Sequence, residues 1–76
     1  MKELLYYIAR SIVDHPDAVS VNEVTRDDML ILELSVDPSD MGKVIGRQGK
    51  IAKSIRSVVK AAAIRENIRV NVDIVG

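Results

Sequence analysis

The chain has 76 residues, 47% of them hydrophobic, with no cysteine, one histidine, two aromatic residues and no net charge. That length supports one domain, expected over 1–76, and not two. Disulfides and thiolate metal sites are excluded without cysteine, a lone His15 makes no metal site by itself, and no apolar run approaches the ~20 residues of a bilayer span.

Leu4, Leu5, Ile8, Ile12 and Val13 recur at helical spacing, so residues 2–14 read as an amphipathic helix. Pro16 ends it, which makes His15 a helix-end residue near the negative end of the dipole. Residues 18–25 and 29–36 are β-rich, and Leu30, Leu32, Leu34 and Val36 alternate onto one face. The short polar connection Arg26-Asp27-Asp28 predicts a hairpin, with the second and more apolar strand at the centre of its sheet. Asp37-Pro38-Ser39-Asp40 opens a short helix over about 41–45, with Ser39 or Asp40 available as N-cap. A longer helix follows over about 50–66, with Ile51, Ile55, Val58, Val59 and Ala62 on one side and Lys50, Lys53, Ser57 and Lys60 on the other. Ile68, Val70, Val72 and Ile74 then alternate as a third strand.

The order α-β-β-α-α-β implies an α+β fold of two layers. Strands two and three are joined through two helices and should pair in parallel, giving a three-stranded mixed sheet covered on one face by three helices. The other face should carry Val24 or Glu23 with Ile31, Glu33, Ser35, Asn71 and Asp73, a mostly polar set that can meet water.

Charge is segregated along the chain. Residues 1–40 hold three basic side chains against nine acidic ones, whereas residues 41–69 hold eight basic ones against Glu66 alone. A polyanion meets the local field and not the total, so the second half can attract nucleic acid although the sum is zero. Within it, Gly46 and Gly49 flank Arg47 and Gln48 directly before a helix. Glycine permits positive φ and close approach of another backbone. The unpartnered N–H groups of the following helix favour an anion, and Arg47, Lys50 and Lys43 add full charges. Val44, Ile45 and Ile51 bracket the loop with apolar surface for unstacked bases. A Walker-type loop and a dinucleotide fingerprint both fail, because Val44 stands where each needs glycine.

The segment Asp40-Met41-Gly42-Lys43-Val44-Ile45-Gly46-Arg47-Gln48-Gly49-Lys50-Ile51 resembles the Ile-Gly-x-x-Gly signature of KH domains. The element order resembles their type II arrangement, and the length together with the Asp-Met-Gly-Lys-Val-Ile-Gly run is similar to the KhpA family of small bacterial proteins. That resemblance implies a single-stranded RNA-binding protein in which Gly46, Arg47, Gln48 and Gly49 clamp the sugar-phosphate backbone, and the charges and apolar surface around the loop add Lys43, Val44, Ile45, Lys50, Ile51 and Lys53 to the expected site. Four nucleotides would lie in the adjoining groove. It further implies an RNA chaperone or post-transcriptional regulator that forms a homodimer or pairs with a larger KH-containing protein.

Candidate seams for a weak dimer are the spare ring of Tyr6 and Tyr7, and the surface around Met41 and Val44. The carboxylates sit at turn and cap positions without a nucleophile and base beside them, so catalysis and cofactors are not expected. The start of the chain lacks the pattern of a signal peptide, and a soluble, cytoplasmic protein is expected. The alternative is a KH-fold protein-interaction module without strong RNA binding.

Overall fold

Strand β2, Met29–Ser35, lies at the centre of a sheet ordered β1-β2-β3 in the computed structural model, which describes residues 1–75. It pairs antiparallel with β1, Ser20–Arg26, and parallel with β3, Val70–Val75. The predicted central strand and parallel pair are both present. The hairpin is tighter than expected, because Arg26 pairs with Met29 and only Asp27 and Asp28 remain in the turn. Both take positive φ, 52° and 64°. That is the type I′ geometry whose twist matches the flanking strands, and aspartate tolerates it better than most side chains.

The period of two decides which side of the sheet is wet. Val21, Leu32, Leu34, Val70 and Val72 are buried beneath the helices. On the open side Asn22, Glu33 and Asp73 stand in one row, and the Asn22 amide donates to Glu33 Oε1 at 3.1 Å. Val24 and not Glu23 belongs to this side, since it pairs with Ile31.

Three helices cover the other face. Helix α1, Lys2–Ile12, buries Leu5 and Ala9, and α3, Lys50–Arg65, buries Ala52, Ile55, Val59 and Ala63. The core stripe of α3 therefore differs from the predicted one. Ile51 and Val58 are 39% and 49% exposed, and the smaller Ala52 and Ala63 point inward in their place. Buried alanines let helix and sheet approach closely, and the large residues are displaced to the flank. Helix α2, Met41–Ile45, is a single turn and a half that buries Val44 completely.

Two element ends differ from expectation for a reason in hydrogen bonding. Helix α1 stops at Ile12 and not at residue 14, because the N–H groups of Asp14 and His15 donate to the carboxylate of Asp40 instead of to their own helix. Strand β3 starts at Val70 and not at Ile68. Asn67 takes a φ of 59°, and the Ile68 N–H returns to the Ala63 carbonyl at 2.9 Å, so Ile68 closes α3.

Candidate nucleic-acid interface

The loop between α2 and α3 is built by two glycines in different positive-φ conformations. The Gly46 N–H closes α2 on the Gly42 carbonyl at 2.9 Å, and its φ of 76° and ψ of 175° turn the chain outward. Arg47, Gln48 and Gly49 form one tight turn, with Gln48 itself left-handed at φ 57° and ψ 25°. Gly49, at φ 74° and ψ 13°, then starts α3, whose N-terminus no side chain caps. Arg47 and Gln48 are exposed, as expected.

The structure brings most of the predicted site together. Lys50 and Lys53 are exposed on the first turns of α3, and Ile45 and Ile51 are partly exposed beside the loop at 37% and 39%. Val44 is the exception. It is fully buried in the core cluster, so it can neither floor a base nor form a seam between copies. Lys43 is exposed but engaged, its Nζ lying 3.4 Å from Asp14 Oδ2. An exposed pair of this kind is worth at most about 1 kcal/mol, so phosphate can compete for the lysine.

Two features escaped the sequence reading. Arg56 is half-buried, and its Nε donates to the Val72 carbonyl at 3.1 Å, which places one flank of α3 over the β3 edge. Its spacing from Lys53 and Lys60, three and four residues, was the available signal. Asp40 is the second. It was expected to be a cap, yet α2 has no side-chain cap; Asp37 instead accepts from the Ser39 N–H at 2.9 Å. Asp40 is 1% exposed and holds the turn after α1 against the start of α2, accepting from both backbone N–H groups and lying 3.0 Å from His15 Nδ1.

This latch is sensitive to protons. The hydrogen bond to Asp40 raises the His15 pKa above its ordinary 6.5, Asp37 adds to the rise, and burial opposes it. Burial pushes the Asp40 carboxyl up, but the Asp14 N–H, the His15 ring and the His15 N–H outweigh it and hold Asp40 below its ordinary 3.8. A raised histidine stabilises the fold fully below pH 6.5, and that contribution is lost as pH rises through the folded-state value. Asp40 acts in the opposite sense, its contribution being lost as pH falls through a value below 3.8. The urea midpoint should therefore decline as pH rises above 6.5 in the native chain and stay level in His15→Gln. An unchanged decline in that variant would assign the effect to another group.

A two-layer α-β-β-α-α-β fold with a mixed sheet, opened at a Gly-x-x-Gly turn between its second and third helices, defines a type II KH domain. The family described as KhpA/KhpB, KH domain, matches residues 2–74, and the chain belongs to it. It is 63% identical to the RNA-binding protein KhpA of Clostridium acetobutylicum over 99% of this chain and all of that protein, and equally so to that of Clostridium perfringens. KhpA of Caldanaerobacter subterraneus subsp. tengcongensis is 56% identical over the same spans. Among solved structures, Era of Aquifex aeolicus bound to GDP and aluminium fluoride superposes with a TM-score of 0.63 at 18% identity. Era in complex with MgGDPNP and nucleotides 1506–1542 of 16S ribosomal RNA superposes equally well at 19%. Each covers 96% of this chain, which spans 28% of theirs, and the likeness is one of fold.

Proposed function

We propose that residues 1–76 act as one KH module that binds single-stranded RNA in the cytoplasm as an RNA chaperone or post-transcriptional regulator, and that it works by binding and not by catalysis. The observation that carries this is the loop itself: Arg47 and Gln48 stand exposed between two positive-φ glycines, at the uncapped N-terminus of a helix rich in lysine. A phosphate there meets the positive dipole end of α3 and the charges of Arg47, Lys50 and Lys53. Ile45 and Ile51 offer apolar contact to the attached bases. Names borne by the relatives support the same ligand, since KhpA of both clostridia is an RNA-binding protein. With Tyr6 and Tyr7 on α1 as its aromatic side chains, the module would draw affinity from charge and backbone contact more than from stacking.

A filter-binding titration of mixed-sequence RNA against salt tests the reading. With roughly two to four phosphates neutralised, log K should fall against log salt with a slope of about −0.7 per contact, and Lys50→Ala or Lys53→Ala should each remove up to about one such contact. No binding at low salt, or a slope near zero, would leave the fold as a protein-interaction module.

Pairing with a second copy or with a larger KH protein belongs to the same proposal. Its support is on α1, where Tyr7 is 72% exposed and Tyr6 38%, the latter beneath the Arg10 guanidinium at 5.2 Å. Tyr6 also lines a hollow of about 440 Å³ with Val19 and Val21 of β1 and its approach. Sedimentation velocity across a wide concentration range reads the pairing of copies, and a constant 8.4 kDa particle would refute the homodimer.

A further inference from the structure

The far end of α3 carries a second feature that the clamp does not use. The Ile68 N–H bonds the Ala63 carbonyl at 2.9 Å and the Asn67 N–H bonds the Ile64 carbonyl at 3.1 Å. This paired closure pins Asn67 and Ile68 against the last turn of the helix. Between that turn and the start of β3 lies a cavity of about 270 Å³, whose lining includes the apolar Ala63, Ile64, Ile68 and Val70 and the cations Lys60 and Arg69.

Packing of the chain on itself accounts for Ala63 and Val70, which are buried, but not for the rest. Ile64 is 77% exposed, more than any other large apolar side chain described, and Ile68 is 37% exposed. Among the described residues neither Lys60 nor Arg69 has an ion-pair partner. An apolar wall with two free cations suits an anion that has apolar faces.

Position selects which anion. Lys53, Arg56 and Lys60 share one flank of α3, and the Arg56 bond to Val72 sets that flank above β3, an edge strand. From Lys50 to Ile64 the helix rises about 21 Å. A strand held at the Gly46–Gly49 loop and running along this flank meets a cation at each turn and then the cavity. A protein partner fits Lys60 less well, because lysine is depleted at protein interfaces.

We propose that this cavity is a second subsite for the same RNA strand, taking an unstacked base against Ile64 and Ile68 while Lys60 and Arg69 hold the flanking phosphates. It rests on the reading of the loop as an RNA clamp, and it lengthens the footprint beyond the four nucleotides of a KH groove.

Fluorescence anisotropy with end-labelled oligouridylates of four and about ten nucleotides separates the two sites. Ile64→Ser combined with Arg69→Ala alters two exposed side chains, so circular dichroism should be unchanged. The double variant should weaken the longer complex about tenfold and leave the shorter within about twofold. Unchanged affinity for both lengths overturns the subsite. Equal loss on both also overturns it, because the short strand held at the loop does not reach the cavity. Unchanged RNA affinity with a shift in sedimentation toward monomer would assign the cavity to self-association and overturn it as well. Failure of the native chain to bind either oligomer at low salt is a separate result, refuting the clamp itself and the subsite with it.

Discussion

Gly46→Ala is expected to cost about 3 kcal/mol of stability and to lower the melting temperature by roughly 12–24 °C. Two independent effects combine there. Its φ of 76° with ψ of 175° falls in a region essentially closed to residues with a Cβ, a strain of order 1–3 kcal/mol. The added Cβ would also lie 2.6 Å from Ile51 Cγ1 and 2.9 Å from Ile51 Cβ, and the latter cannot move without the first turn of α3. Gly49→Ala supplies the control. Its φ of 74° is left-handed too, but a Cβ there meets no atom within 4 Å, so only the conformational cost of about 1 kcal/mol remains. Thermal unfolding followed by circular dichroism compares them. Equal losses in the two variants would mean that contact with Ile51 contributes nothing and that the loop is looser than its geometry requires.

Changing Arg47 and Gln48 together to Asp should weaken RNA binding about a hundredfold or more while the fold stays intact. Charge-assisted contacts are worth about 1.5–3 kcal/mol each, and here attraction gives way to repulsion of phosphate. Both side chains are exposed, and the substitutions touch no buried contact. At position 48 the exchange is even compatible with the backbone, since aspartate is enriched in the left-handed region that Gln48 occupies at φ 57°. Stability should therefore change by no more than about 0.5 kcal/mol. Filter binding and circular dichroism are read on the same preparation. A lost folded signal would make the loop a structural element, and retained affinity would move the RNA elsewhere on the surface.

Elements whose evidence is local were legible in the residues. The alternation of Leu30, Leu32 and Leu34 marks β2, and the two glycines mark the turn from α2 to α3, because period and backbone freedom are properties of short segments. The exposure of Arg47 and Gln48 follows from the same segment. Val44 was misread for the opposite reason: it stands two residues before Gly46, and nothing nearby in the sequence says that α2 rotates it into the core. The stripe of α3 was displaced by one residue because Ile51 and Val58 are larger than Ala52 and Ala63, while burial was decided by the space left between α3 and its neighbours.

By itself the amino-acid sequence determined the element order, the central position of β2, the segregation of charge and the loop that would hold a phosphate. Tertiary structure alone decided what comes together from distant segments. Asp40 meets Asp14 and His15 across about two dozen residues and ends α1 early, an event invisible to helical periodicity. Arg56 finds a carbonyl of β3 sixteen residues away and ties that flank of α3 to the edge strand. Lys60 and Arg69 flank one cavity because the Asn67 turn folds the strand back under the helix. Local propensities act over a few residues, whereas these partners are chosen by the sheet and helices packing around a shared core, and that choice sets the cationic side of α3 over β3.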